Sequence, residues 1–268
     1  MDAGRRSFCI AGSALVLGGC ASTGAGTRAA AAELASTGKL RAAINFGNPV
    51  LAHRGASGEP LGVSVDLARE AARRLGVPVE LVTFTAAGDV VSALKSRNVD
   101  LGFVAIDPVR GADLDYTAPY VIIEGAYLVR ADSTLQSNDQ VDRAGTRIAV
   151  GRNSAYDLFL TREIKQATLV RVPGSPKVVD EFLAQKLEVA AGVKQQLEMD
   201  AKRVGGGVRL LPGRFMVIEQ AMGVPKGRTA AQAWLSAFIE EMKRSGFVAD
   251  ALKRHRIEGA AVAPPRAA

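Results

Sequence analysis

The sequence predicts an α/β protein built on parallel sheet, and three observations predict it. From Lys39 to Ile106, short apolar strands alternate with amphipathic helices, the order of βαβ units. The alternation resumes between Arg147 and Leu211. Two longer stretches, Val121–Val129 and Phe215–Val224, read as extended; the first is long enough to leave one domain and enter another, and the second suits a return crossing.

The amino-terminal residues are expected to precede the fold. Arg5-Arg6-Ser7-Phe8 is followed by an uncharged, small-to-apolar run from Cys9 to Gly19, closed by Leu17-Gly18-Gly19-Cys20. A charged start, a short apolar run and small residues at its end are the parts of a secretory signal. The run is too short to span a bilayer. The paired arginines before Ser-Phe resemble a Tat signal. Leu-Gly-Gly-Cys resembles a bacterial lipobox, so residues 1–20 are read as a lipoprotein-type signal and Cys20 as the lipidated residue that ties the chain to a membrane. Residues 21–38, rich in Ala, Ser, Thr and Gly, are expected to be a flexible tether.

From Lys39 the elements follow in order. Leu40–Phe46 is a strand. Asp66–Leu75 places Leu67, Ala71 and Leu75 at four-residue spacing and is stopped by Gly76 and Pro78, hence a helix. Val79–Phe84 is a strand, Asp89–Ser96 a helix and Val99–Ile106 an apolar strand ended by Asp107-Pro108. In the second run the strands are Arg147–Val150, Thr168–Val172, Leu187–Val193 and Val208–Leu211, and the helices Ala155–Ile164, Pro176–Gln185 and Lys194–Lys202. Thr229–Arg244 is a long helix with Trp234, Phe238 and Met242 at four-residue steps, read as core; Phe247–His255 is a last helix. Residues 259–268, with two prolines and several alanines, are expected to be disordered.

Composition narrows the function. Both cysteines, Cys9 and Cys20, lie in the signal, which leaves the remaining chain without disulfide or thiol chemistry. The only histidines are His53 and His255, far apart in sequence, so no nucleophile–base pair and no metal cluster presents itself. No cofactor is expected: Gly205-Gly206-Gly207 lacks the Lys-Ser/Thr of a phosphate loop. The formal charge is +7, and losing Arg5, Arg6 and Asp2 with the signal leaves +6. Nucleic acid is not the expected partner, because an exported chain does not meet it and the Lys and Arg residues are spread over helix faces. Mild attraction of anions is the better inference. Arg110, just past the carboxyl end of the apolar strand, stands where open α/β sheets bind ligands. Its fork suits a carboxylate or phosphate.

Two blocks carry a family resemblance. Asp100, Asp107, Arg110, Tyr116, Thr117, Pro119 and Tyr120 are similar to a "D-x-x-…-T-x-x-R-…-F-S-x-P-Y" segment of periplasmic solute-binding proteins of polar amino-acid ABC importers, with Asp107 in place of Thr. Gly62 to Gly76 resembles the "G-F-D-V-D-L-A-…-L-G" block of the same family, and the likeness covers about Lys39 to Arg254. It implies a two-lobed periplasmic-binding-protein fold (type II): two α/β lobes joined by two extended hinge crossings, residues 39–125 with 218–258 forming lobe 1 and 126–217 lobe 2. It also implies a monomer that closes on a small solute and delivers it to ABC permease subunits.

In such proteins an arginine of the first lobe clamps the solute's carboxylate, and a hydroxyl in a turn opening a second-lobe helix completes the clamp. Arg110 matches the first. Gly151-Arg152-Asn153-Ser154 occupies the place of the second, making Ser154 the hydroxyl candidate, with Asn153 or Ser154 capping the helix. The departures from the family pattern are informative. The acid that neutralises an amino acid's ammonium falls on Val193 or Lys194; the first-lobe acid and tyrosine fall on Asn45 and Asn48. A buried ammonium without a carboxylate costs several kcal/mol, so the expected solute is anionic: an organic acid, or an amino-acid-like compound. Asp107 is left to receive a ligand cation, cap the turn or pair with Arg110; Tyr156 is a candidate wall. An alternative is an enzyme like the cyclohexadienyl dehydratases, or a sensory module on the same fold. For the enzyme, Glu124 and Glu219 are the acids placed in apolar runs near the crossings.

Overall fold

The computed structural model describes residues 21–266. The signal read in residues 1–20, with Cys20, lies outside the described residues. The first element is a helix, α1 (Ala21–Leu34), where a flexible tether was expected over residues 21–38. Ala29 to Ala32 are consecutive alanines, the best helix formers. Ala30 and Leu34 are fully buried against the first-lobe core, and Glu33 Oε2 accepts from the Ala231 amide at 2.8 Å. Packing of this face holds the segment where composition alone suggested freedom.

The chain then runs through β1 (Leu40–Asn45), the small hairpin β2 (His53–Arg54) and β3 (Pro60–Leu61), α2 (Val63–Leu75), β4 (Val79–Phe84), α3 (Ala87–Lys95), β5 (Leu101–Ala105), β6 (Leu114–Tyr116) and β7 (Val121–Arg130). The second lobe adds β8 (Arg147–Gly151), α4 (Ala155–Glu163), β9 (Thr168–Val172), α5 (Val178–Ala184), β10 (Val189–Val193), α6 (Lys194–Arg203) and β11 (Val208–Leu210). The return is β12 (Met216–Pro225), followed by α7 (Thr229–Arg244), α8 (Phe247–Arg254) and β13 (Ala261–Val262). Element types follow the sequence reading closely. β5 starts two residues late because the Asn98 and Val99 amides still bond back to the Ala93 carbonyl at the end of α3.

The main sheet has the order β4-β1-β5-β12-β7-β10-β8-β9. β4, β1 and β5 pair in parallel, as do β10, β8 and β9, while the crossing strands β7 and β12 run antiparallel to each other and to the neighbours β10 and β5. Each crossing strand changes partner midway. β7 pairs with β12 over Val121–Gly125 and with β10 over Gly125–Val129; β12 pairs with β7 over Met216–Gln220 and with β5 over Gln220–Gly223. Gly125 and Gln220 are the hand-over positions. A Cβ at Gly125 would stand 2.6 Å from Met216 Cγ and 2.9 Å from Phe215 Cζ, so the glycine leaves room for these two side chains to lie over the crossing. Apolar clusters cover both sheet faces in each lobe: Ile44, Leu67 and Leu101 on one face of lobe 1 with Val90 and Leu94 on the other, Val150 and Leu160 in lobe 2 opposite Val179 and Phe182.

Residues 259–266 are also ordered by packing, where a disordered tail was expected over residues 259–268. β13 adds to the edge of β7 through Ala261 opposite Ile122 and Val262 opposite Val121. Ala263 is buried and its amide bonds the Tyr120 carbonyl. Lys243 Nζ donates to the Pro264 and Pro119 carbonyls. The prolines do not break this strap because β13 needs only two ladder residues.

Candidate ligand-binding cleft

β5 delivers Arg110 to the seam between the lobes, one turn beyond its end. Its side chain is nearly enclosed, with 4 % of the residue exposed. Nη1 donates to the Ala105 carbonyl at 3.1 Å and Nη2 to the Asn153 carbonyl of the second lobe at 2.8 Å. A guanidinium has five N–H donors, so two are met by neutral carbonyls. No carboxylate of the described residues makes an ion pair with it, and burial pushes its pKa below the usual arginine value. A cation held this way is poised for an anion.

Arg110 lines a small cavity of about 30 Å³ at the seam, room for roughly two waters. The lobes therefore stand closed on one another, and a solute of amino-acid size needs them wider apart. The first lobe contributes Asn45, Gly47, Asn48, Ala87, Val104 and Ala105; the second contributes Ser154, Ala155, Tyr156, Ser175 and Val193; the return crossing adds Ile218 and Gln220. The wall holds no Asp or Glu.

Local structure explains these placements. Asn153 adopts the left-handed conformation (φ 57°), which asparagine tolerates, and turns its carbonyl to Arg110. Its side chain rests against Gly88, where a Cβ would fall 2.7 Å from Asn153 Cβ. Ser154 is the N-cap of α4, its Oγ accepting from the Asp157 amide at 3.0 Å, while it also faces the cavity. Tyr156 lines the wall and donates to Ser175 Oγ at 2.8 Å; burial raises its pKa. Asn45 Oδ1 accepts from the Gly47 amide at 2.9 Å, holding the loop that carries Asn48.

The structure thus brings Arg110, Ser154, Tyr156, Asn45 and Asn48 to one cavity. It removes two candidates from that wall. Asp107 Oδ1 caps its turn through the Val109 amide and Oδ2 accepts from Arg162 of the second lobe at 3.0 Å, so it neither faces the cavity nor pairs with Arg110. Asn153 reaches Arg110 by its main chain and borders an outer groove shared with Gly88 and Lys95. Lys194 pairs with Glu124 at 3.3 Å instead of entering the cleft. Arg214 holds Glu124 from the other side at 2.7 Å, and together they keep its carboxyl below the usual range. Glu219 is exposed. Neither glutamate lines the cavity, so neither sits where a general acid would. Asp100, from the motif, is a structural anchor bound by Arg41 and Arg228. Tyr120, bonded to Ser64, and Tyr127, stacked on Phe215, pack in the cores. Gln220 and Ser175 were not singled out from sequence; the change of strand partner at Gln220 is visible only in the paired sheet.

A two-lobed α/β fold with a buried cation at the inter-lobe seam defines the binding-protein class. The sequence profile of the bacterial extracellular solute-binding proteins, family 3, matches residues 40–256, and the chain belongs to that family. The L-cystine-binding protein TcyJ of Escherichia coli (strain K12) is 22% identical over 214 residues, covering 78% of this chain and 79% of that protein. Among solved structures, the solute receptor for L-cysteine of Neisseria gonorrhoeae superposes with a TM-score of 0.75 at 21% identity, covering 87% of this chain and 94% of the other. The ancestral amino acid-binding protein AncCDT-1, a precursor of cyclohexadienyl dehydratase, gives 0.71 at 19% identity, covering 83% and 97%. At these identities the structural likenesses speak for the fold.

Proposed function

We propose that this chain captures a small carboxylate-bearing solute between its lobes and hands it to the membrane subunits of an ABC transporter. The observation that carries the reading is Arg110, a buried guanidinium in the cavity wall that no carboxylate of the described residues pairs with. The solute's carboxylate takes that place, and the lobes close through it. Ser154 and the free amino end of α4 add donors on the opposite wall. In the fuller form of the reading, the protein works outside the cytoplasmic membrane as a monomer, held by a lipid on Cys20.

L-cystine and L-cysteine, which the relatives' names give as their ligands, both carry such a carboxylate. They also carry ammonium groups, for which this cavity wall supplies no acid. A thermal-shift screen of organic acids and amino acids tests the reading, because a ligand of the native state raises Tm by mass action. The expected result is a set of carboxylate hits that all vanish in Arg110→Gln. Hits that survive this substitution would remove the arginine from the site.

A further inference from the structure

Among the residues that line the cavity, one besides Arg110 carries a buried group left unmet. Asn48 Oδ1 is buried and has no hydrogen-bond partner. It does not cap a helix, and the neighbouring Asn45 satisfies the local amide of Gly47 in its stead. Gln220 is 5 % exposed at the strand hand-over, lines the same cavity, and its carboxamide makes no hydrogen bond to the described residues. A buried acceptor left without a donor costs about 1–3 kcal/mol, so a site that keeps one is shaped for a ligand that supplies the donor.

That donor has two candidate forms, an ammonium or a neutral N–H. An ammonium would bring a full positive charge into an enclosed wall that already holds Arg110 and contains no Asp or Glu; its desolvation would be met by dipoles alone. A neutral N–H carries no such cost. A carboxamide side chain offers an acceptor and a donor side by side, and the group complementary to it is another amide. We infer, resting on the carboxylate reading above, that the solute is an N-acylated or N-carbamoylated amino acid: a carboxylate for Arg110, with the adjacent neutral amide donating to Asn48 and accepting from Gln220.

The test is calorimetric titration of the purified protein with N-acetylglycine, with 4-oxopentanoate, of the same size but with a methylene in place of the N–H, and with the smaller glycine, which carries a free ammonium. The inference expects N-acetylglycine to bind about tenfold more tightly than either of the others. Asn48→Leu should erase the advantage of N-acetylglycine over 4-oxopentanoate. Asn48→Asp, which keeps the side chain's shape, should shift the preference toward glycine by supplying the missing acid. Equal binding of N-acetylglycine and 4-oxopentanoate, both lost in Arg110→Gln, would overturn the amide inference and leave the carboxylate reading standing. Glycine binding best to the unaltered protein, or no gain for glycine in Asn48→Asp, would also overturn it. Binding that ignores Arg110→Gln, or no binding by any of the three at millimolar concentration, would overturn the carboxylate reading as well.

Discussion

Asp107, at the end of the first lobe's central strand, and Arg162, in the last turn of α4, hold the two lobes together through one hydrogen bond of 3.0 Å. The pair is asymmetric: the carboxylate is 4 % exposed and the guanidinium 37 %. Beside it, Arg110 reaches across to the Asn153 carbonyl. Both contacts exist only while the lobes are together, so they bias the chain toward the closed form.

Arg162→Ala leaves Asp107 buried with only the Val109 amide for company. A half-exposed ion pair contributes about 1 kcal/mol, so the population of this tightly closed form should fall, and a solute that needs the lobes wider apart should bind up to roughly fivefold more tightly. Small-angle scattering should show a larger mean radius of gyration. A double-mutant cycle with Asp107→Asn should return a coupling energy near 1 kcal/mol; zero coupling would mean that the contact is incidental.

Gly88 lies against Asn153 across the seam. Gly88→Val should hold the lobes apart, enlarging the radius of gyration of the solute-free protein with little change in its Tm, because the added volume meets the opposite lobe and not the core. An unchanged radius, read by small-angle scattering, would show that closure does not bring these positions together.

The two ends of the chain should matter for stability. Leu34→Ala in α1 removes a fully buried side chain and should cost about 2–4 kcal/mol, whereas in a loose tether it would cost nothing. Ending the chain at Glu258 removes β13 and frees Lys243 from the Pro264 carbonyl. Loss of about 1–2 kcal/mol should lower Tm by several degrees. Chemical and thermal unfolding curves decide both.

Acid should destabilise the protein in two separate windows. Burial and the neighbouring His255 ring hold the His53 pKa below its usual 6.5. The unfolded chain therefore takes up this proton first, and its stabilisation, present above 6.5, is lost as pH falls below that value. Arg73 and Arg74 hold the Glu70 carboxyl at about 2 against its usual 4.5. Its contribution is complete above 4.5 and is lost between that pH and about 2. His53→Gln should flatten the upper window and Glu70→Gln the lower one in a series of unfolding curves; curves that keep their shape would refute both assignments.

Much of the fold was legible because the signals are local. Four-residue apolar spacing marks α2 and α7, and Gly76 with a left-handed φ of 70° ends α2 where the sequence places the stop. Arg110 and Ser154 were legible for a similar reason: one follows a strand at Asp-Pro, and the other opens a helix. The cap that Asp107 makes on its own turn was among the roles the sequence offered; its bond to Arg162 was not legible, because the two lie 55 residues apart and no local pattern joins them. The ends were misread because small residues are equally at home in a tether and in a packed helix, and only a partner surface decides.

By itself the sequence determined the order and kind of the elements, the family, and the presence of a lone arginine at a strand end without an acid in the place of the usual counter-charge. Periodicity, turn chemistry and residue type are properties of neighbours along the chain. The tertiary structure alone decided which polar groups share the cavity and remain unmet, which acids are already spent on arginines, and how α1 and β13 pack on the first lobe. Those are properties of neighbours in space, set by strand pairing and burial between residues far apart in the chain.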